Sequence, residues 1–102
     1  MSVDMRMRLR VKSINVDQEA KDFELDLDAD FKEIFDHLRI GEEIVLVSGE
    51  VVSVKRIIRD LRSDRIIVVL KDHTCYHSND YDGLIKNLSL TGWKTIKDVN
   101  CV

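Results

Sequence analysis

The chain of 102 residues has no proline, four glycines, two cysteines and only 6% aromatic residues. Without proline, no pyrrolidine ring interrupts a helix or strand from within. The glycines stand alone at 41, 49, 83 and 92, so no glycine-rich loop is present to cradle a phosphate. Cys75 and Cys101 are too few for the disulfide framework of a small secreted domain, which points to the cytoplasm. A Cys75–Cys101 bridge would fit a hyperthermophilic source, where intracellular disulfides are common. The longest apolar run is IIVVL at 66–70, too short to cross a membrane as a helix. The amino terminus MSVDMRMRLR alternates charged and apolar residues and lacks the apolar block of a secretory signal.

What the chain has is charge and aliphatic bulk. Charged residues make up 34% and apolar residues 44%, enough for one domain, 1–102, with a shared core. The abundance of charge, Ile and Val, with only two Ala and little Gln or Asn, fits a heat-stable protein. The net charge of −3 is divided unevenly. Residues 1–50 carry seven Lys/Arg against thirteen Asp/Glu, and residues 51–102 carry nine against six.

Periodicity supplies the elements. Met5, Met7, Leu9 and Val11 alternate with Arg6, Arg8, Arg10 and Lys12, a half-buried strand with one basic face. FELDLD at 23–28 alternates with Glu24, Asp26 and Asp28 outward, so the two strands predict a hairpin with cross-strand charge pairs. A helix is expected from the cap Asp30 with Phe31, Ile34, Phe35 and Leu38 inward, ended by Gly41. A strand at 42–47 follows. The order then repeats: strands at 51–58 and 65–70, a helix capped by Asp80 with Tyr81, Leu84, Ile85 and Leu88 inward, then Gly92 and a strand at 93–99.

DFKEIFDHLRI at 30–40 matches DYDGLIKNLSL at 80–90 at every apolar position, and one seven-residue insertion brings the upstream strands into line. This predicts an α+β fold made by internal duplication of a strand-strand-helix-strand unit. Repeat one covers about 5–49 and repeat two about 50–102. Six mostly antiparallel strands and two helices would then surround one shared core with pseudo-twofold symmetry. Neither half is large enough to be comfortable alone, so the halves must cover each other. A seam between two lobes, or an exposed sheet edge, can take an extended peptide.

The chemistry-bearing residues cluster in the insertion DHTCYHSN at 72–79. His73, Cys75 and His77 would point the same way in an extended chain, as zinc ligands can. Their spacing is not a known structural pattern and no second Cys/His cluster completes a tetrahedron, so no metal or cofactor is assigned. No serine stands in a nucleophile-elbow context, and residues two apart such as Cys75 and His77 rarely form a nucleophile–base pair. The chain is therefore read as a non-enzyme with no catalytic residue.

Two roles remain. The first is a protein–protein interaction module that binds an extended peptide in the groove between the lobes, with Tyr76, His77 and Trp93 as contact residues. Trp93 at the start of the last strand also suits a core position. The alternative is nucleic-acid binding by the basic hairpin KRIIRDLRSDR, through Lys55, Arg56, Arg59, Arg62 and Arg65. A solvated hairpin tip accounts for the same residues, and the sequence pI of about 5.6 argues against a nucleic-acid role.

With DADFKEIFDHLRIGEEIVLVSGE and its Ile/Val-rich, charge-rich remainder in view, the chain resembles small orphan proteins of the filamentous viruses of hyperthermophilic archaea, the Acidianus filamentous virus group. The resemblance implies a heat-stable viral accessory protein of the host cytoplasm with a viral or host protein partner. It carries over no site residues.

Overall fold

The computed structural model describes residues 4–27 and 37–96. Among them are seven strands and one helix: β1 Asp4–Ser13, β2 Lys21–Leu27, β3 Glu43–Val45, β4 Val51–Asp60, β5 Arg65–Leu70, β6 His73–Cys75, α1 Ser78–Leu90 and β7 Lys94–Ile96. The strands form one mixed sheet in the order β3-β4-β5-β1-β2-β7, with β6 beside the far end of β1.

The first hairpin follows from its alternation. β1 and β2 pair antiparallel, Met5 opposite Leu27, Met7 opposite Leu25 and Leu9 opposite Phe23. These side chains lie on the face covered by α1, and Met5, Met7, Leu9, Val11 and Phe23 are all buried. On the other face the charges pair across the strands as the sequence predicts. Arg8 Nε donates to Glu24 at 2.8 Å, Arg6 Nη1 to the same carboxylate at 2.9 Å, and Arg10 grips Asp22 side-on at 2.7 and 3.1 Å. Asp4, with Glu24 after it, holds the Arg6 guanidinium further toward the charged form, and Asp22 does the same for Arg10.

The predicted duplication is not realised. The described residues hold seven strands and one helix, not six and two. The predicted helix at 30–40 lies largely outside the described residues, and 37–40 form no helix. The seventh strand, β6, comes from the insertion, which runs parallel to β1 with Val11 opposite His73 and Ser13 opposite Cys75. The pairing also breaks the twofold. Matched halves would equate β1 with β4, β2 with β5 and β3 with β7. Because β5 lies parallel to β1, symmetry would require β2 beside β4, yet the neighbours of β2 are β1 and β7. Likewise β3 pairs with β4, whereas its counterpart β7 pairs with β2 and not β1. Two stretches can share an amphipathic period and still be joined to different neighbours, since periodicity fixes which face is apolar and not which strand lies alongside.

The helix comes closest to its prediction. It begins one turn earlier than Asp80, with extended His77 at the N-cap and no side-chain cap, so Asp80 lies in the first turn. Tyr81, Leu84 and Leu88 are its buried residues. At the other end Gly92 adopts φ +98°, and the Trp93 N–H donates to the Leu88 carbonyl at 3.0 Å, a Schellman closure. Only glycine takes that φ without strain, and the closure turns Trp93 back into the core, where it is 5% exposed.

Candidate functional site

The insertion and the helix start border an open cavity of about 480 Å³. β6 presents His73 and Cys75 on the same face, opposite the buried Val11 and the half-buried Ser13 of β1. His77 and Asp80 enter from the start of α1, and Glu50 enters from the turn between β3 and β4. His73 Nε2 stands 3.5 Å from Glu50 Oε2, a contact that ties this turn to β6. The β1–β2 loop closes over the helix start. Asn15 Nδ2 donates to Ser78 Oγ at 3.1 Å, Gln18 Nε2 to Asp82 at 3.3 Å, and the Tyr81 hydroxyl to the Glu19 carbonyl.

Tyr76 and His77 both line this cavity, and both are exposed. Trp93 does not join them. It lies in the core and lines a separate apolar cavity with Leu25, Val45 and Val47. The three predicted contact residues therefore do not form one surface. His73, Cys75 and His77 share the first cavity, but among the described residues no three of His, Cys, Asp or Glu are placed to hold a metal ion. Cys101 lies outside the described residues, so a bridge to Cys75 does too.

Burial pushes the Cys75 thiol up, with Glu50 and Asp80 adding to the rise, so Cys75 stays protonated. A buried, protonated thiol is a poor nucleophile. Burial likewise raises the Tyr81 hydroxyl, helped by Asp82. The consequence for stability has a definite sign. Both groups keep their protons longer in the folded chain than in the unfolded one. Stability is therefore unaffected below the ordinary thiol value and falls as pH rises through the ordinary thiol and then phenol ranges. Chemical denaturation across the alkaline range should show that decline, and Cys75→Ala combined with Tyr81→Phe should flatten its slope. An unchanged slope in the double variant would assign the alkaline loss to other groups.

The structure divides the basic hairpin residues. Lys55 and Arg56 lie at a bulge where the β4–β5 register slips between Val54 and Arg56. Arg59 pairs opposite Ile66 on the α1 face, Arg62 lies in the turn with its Nε 3.4 Å from Asp60, and Arg65 lies on the open face 3.5 Å from Asp4. Five cations close in sequence therefore point in three directions, and they do not make one phosphate-tracking surface.

A surface that periodicity does not single out is the outer edge of β3. Leu46 donates to Glu50 at 2.9 Å, and Val54 donates to Glu42 at 2.9 Å. Residues 42, 44 and 46 thus face β4, and Glu43 and Val45 direct their backbone groups away from it, while Val47 begins the turn that the Gly49 N–H closes on the Leu46 carbonyl. No strand lies beyond β3 among the described residues. Val45 is 67% exposed, Val47 86% and Val51, opposite Val45, 54%. The sequence signal was the unbroken apolar run IVLV at 44–47, which is more apolar than a strand with one wet face requires. Among the described residues no helix is long and apolar enough to cross a membrane. No protein-family model matches the chain, and neither any curated protein nor any solved structure is a match for it.

Proposed function

We infer that the chain is a non-enzymatic binding module that holds an extended segment of a protein partner by adding it as a strand to the outer edge of β3. The observation that carries this reading is the combination of outward-directed backbone groups at Glu43 and Val45 with the exposed Val45 on the same short strand, flanked by exposed Val47 in the turn and Val51 on β4. Exposed edge strands are normally blunted by charge, bulges or proline. This edge has Glu43 but no lysine, no proline and no bulge. Backbone hydrogen bonds would supply affinity, and apolar side chains at alternate peptide positions would pack on Val45 and Val51. The β3–β4 turn leads from this edge to Glu50 and the cavity lined by Tyr76 and His77, which offers polar contacts to one end of such a peptide. No groove between equivalent lobes is involved.

Selection from a random peptide display library tests the reading. Enriched peptides should alternate β-branched and polar residues. Val45→Pro removes the outward N–H while leaving the bonds from Ile44 and Leu46 to β4, and proline is tolerated on such an edge. The variant should unfold as cooperatively as the parent and lose binding by about tenfold or more. Failure to enrich any peptide, or peptides that bind Val45→Pro as well as the parent, would sink the idea.

A further inference from the structure

On the face of the sheet away from α1, directly opposed residues form rows across four strands. One row reads Arg56, Val69, Arg8, Glu24, and the next reads Ile58, Ile67, Arg6, Asp26. The second has an apolar half, and Ile67 is buried there although it lies outside the main core cluster. In the first row the short Val69 sits between two arginines. Arg56 and Arg8 stand two strand spacings apart, about 10 Å between backbones. The bulge adds Lys55 to the β4 wall, and Arg10 extends the β1 wall. The result is a trough of about 300 Å³ lined also by Ile58 and Val69, with two carboxylates at its β1 end, Asp22 held by Arg10 and Asp72 held by Lys12 at 2.8 Å.

The cations of this trough are not all committed. Arg10 is engaged side-on by Asp22. Arg8 uses only Nε on Glu24, a carboxylate it shares with Arg6, so its terminal nitrogens have no partner among the described residues. Lys55 and Arg56 are exposed and make no ion pair among the described residues. An uncommitted guanidinium on each wall, Arg8 on β1 and Arg56 on β4, with the Lys55 ammonium beside Arg56, suits a group with several charged oxygens, and bidentate Arg contacts favour phosphate. The volume lies at the small end for ligand sites, and among the described residues no aromatic ring lines the trough on which a base would stack.

We propose that this trough is a binding site for the phosphate group of a small phosphorylated molecule, held between Arg8 on β1 and Lys55 and Arg56 on β4. It is separate from the β3 edge and does not depend on the peptide reading.

Inorganic pyrophosphate serves as the probe, titrated at low salt with amide chemical shifts as the readout. Shifts should concentrate on Arg8, Lys55, Arg56 and Val69. Lys55→Gln with Arg56→Gln should weaken binding by about tenfold or more, the loss expected when charge-assisted hydrogen bonds are removed. Arg59→Gln with Arg62→Gln removes the same charge from the opposite face and the turn, and should leave binding within about twofold, since exposed distant charges are screened. Equal losses in the two double variants would reduce the effect to diffuse charge and overturn the proposal. Absence of saturable binding would overturn it too. A short single-stranded oligonucleotide that binds far more tightly than pyrophosphate, and loses affinity in both double variants, would replace it with a nucleic-acid surface.

Discussion

Replacing Phe23 by alanine should lower the unfolding free energy by about 3–5 kcal/mol, the usual cost of truncating a buried aromatic ring. Phe23 has no exposed surface and is among the largest fully buried side chains of the chain. It sits on β2 directly opposite Leu9 of β1, itself 2% exposed, and so lies where the first hairpin meets the core under α1. Its backbone neighbours are β1 on one side and β7 on the other, since Phe23 also stands opposite Thr95. Such a site cannot collapse around a cavity without moving three strands, which places the cost at the upper part of the range. A domain of this size has about 5–15 kcal/mol in total, so the variant should have a sharply lower urea midpoint with little change in slope. Phe23→Leu keeps most of the volume and should cost under about 1.5–2 kcal/mol. A Phe23→Ala loss under about 1 kcal/mol would show that β2 does not pack as described.

Leu88→Ala should cost about 2–5 kcal/mol, and Leu38→Ala less than half as much. In a duplicated fold these two leucines are counterparts and their losses should match. The structure makes them unequal. Leu88 has no exposed surface and faces β1 from the last turn of α1, where the Leu88 carbonyl also accepts the closing bond from Trp93. Leu38 is only partly buried and packs against the rim of the core. Parallel denaturation of the two variants therefore tests the asymmetry directly. Equal losses would bring the equivalence of the halves back.

Much of the local structure was legible because it rests on period alone. The alternation of Met5 to Lys12 with Phe23 to Leu27 determined which face is apolar, and the opposed signs of Arg8 and Glu24 made their pairing the low-energy register. The helix face with Tyr81, Leu84 and Leu88 followed from a 3.6-residue period in the same way. The candidate sites were less legible. Tyr76 and His77 came together with His73 because they are near neighbours in sequence, but Glu50 reaches them only because the β3–β4 turn packs beside β6. Arg8 and Arg56 are 48 positions apart and share a trough only because β5 lies between β1 and β4. Trp93, read as a contact residue, is turned inward by the Gly92 closure.

The amino-acid order by itself determined the faces: where each strand or helix is apolar, which charges oppose each other in the first hairpin, and that the chain needs a common core. Only the tertiary structure decided the neighbours. It put β5 parallel to β1, turned the insertion into β6 and left β3 at an edge, because the choice among apolar faces that all need covering depends on contacts between distant residues, which no local period encodes.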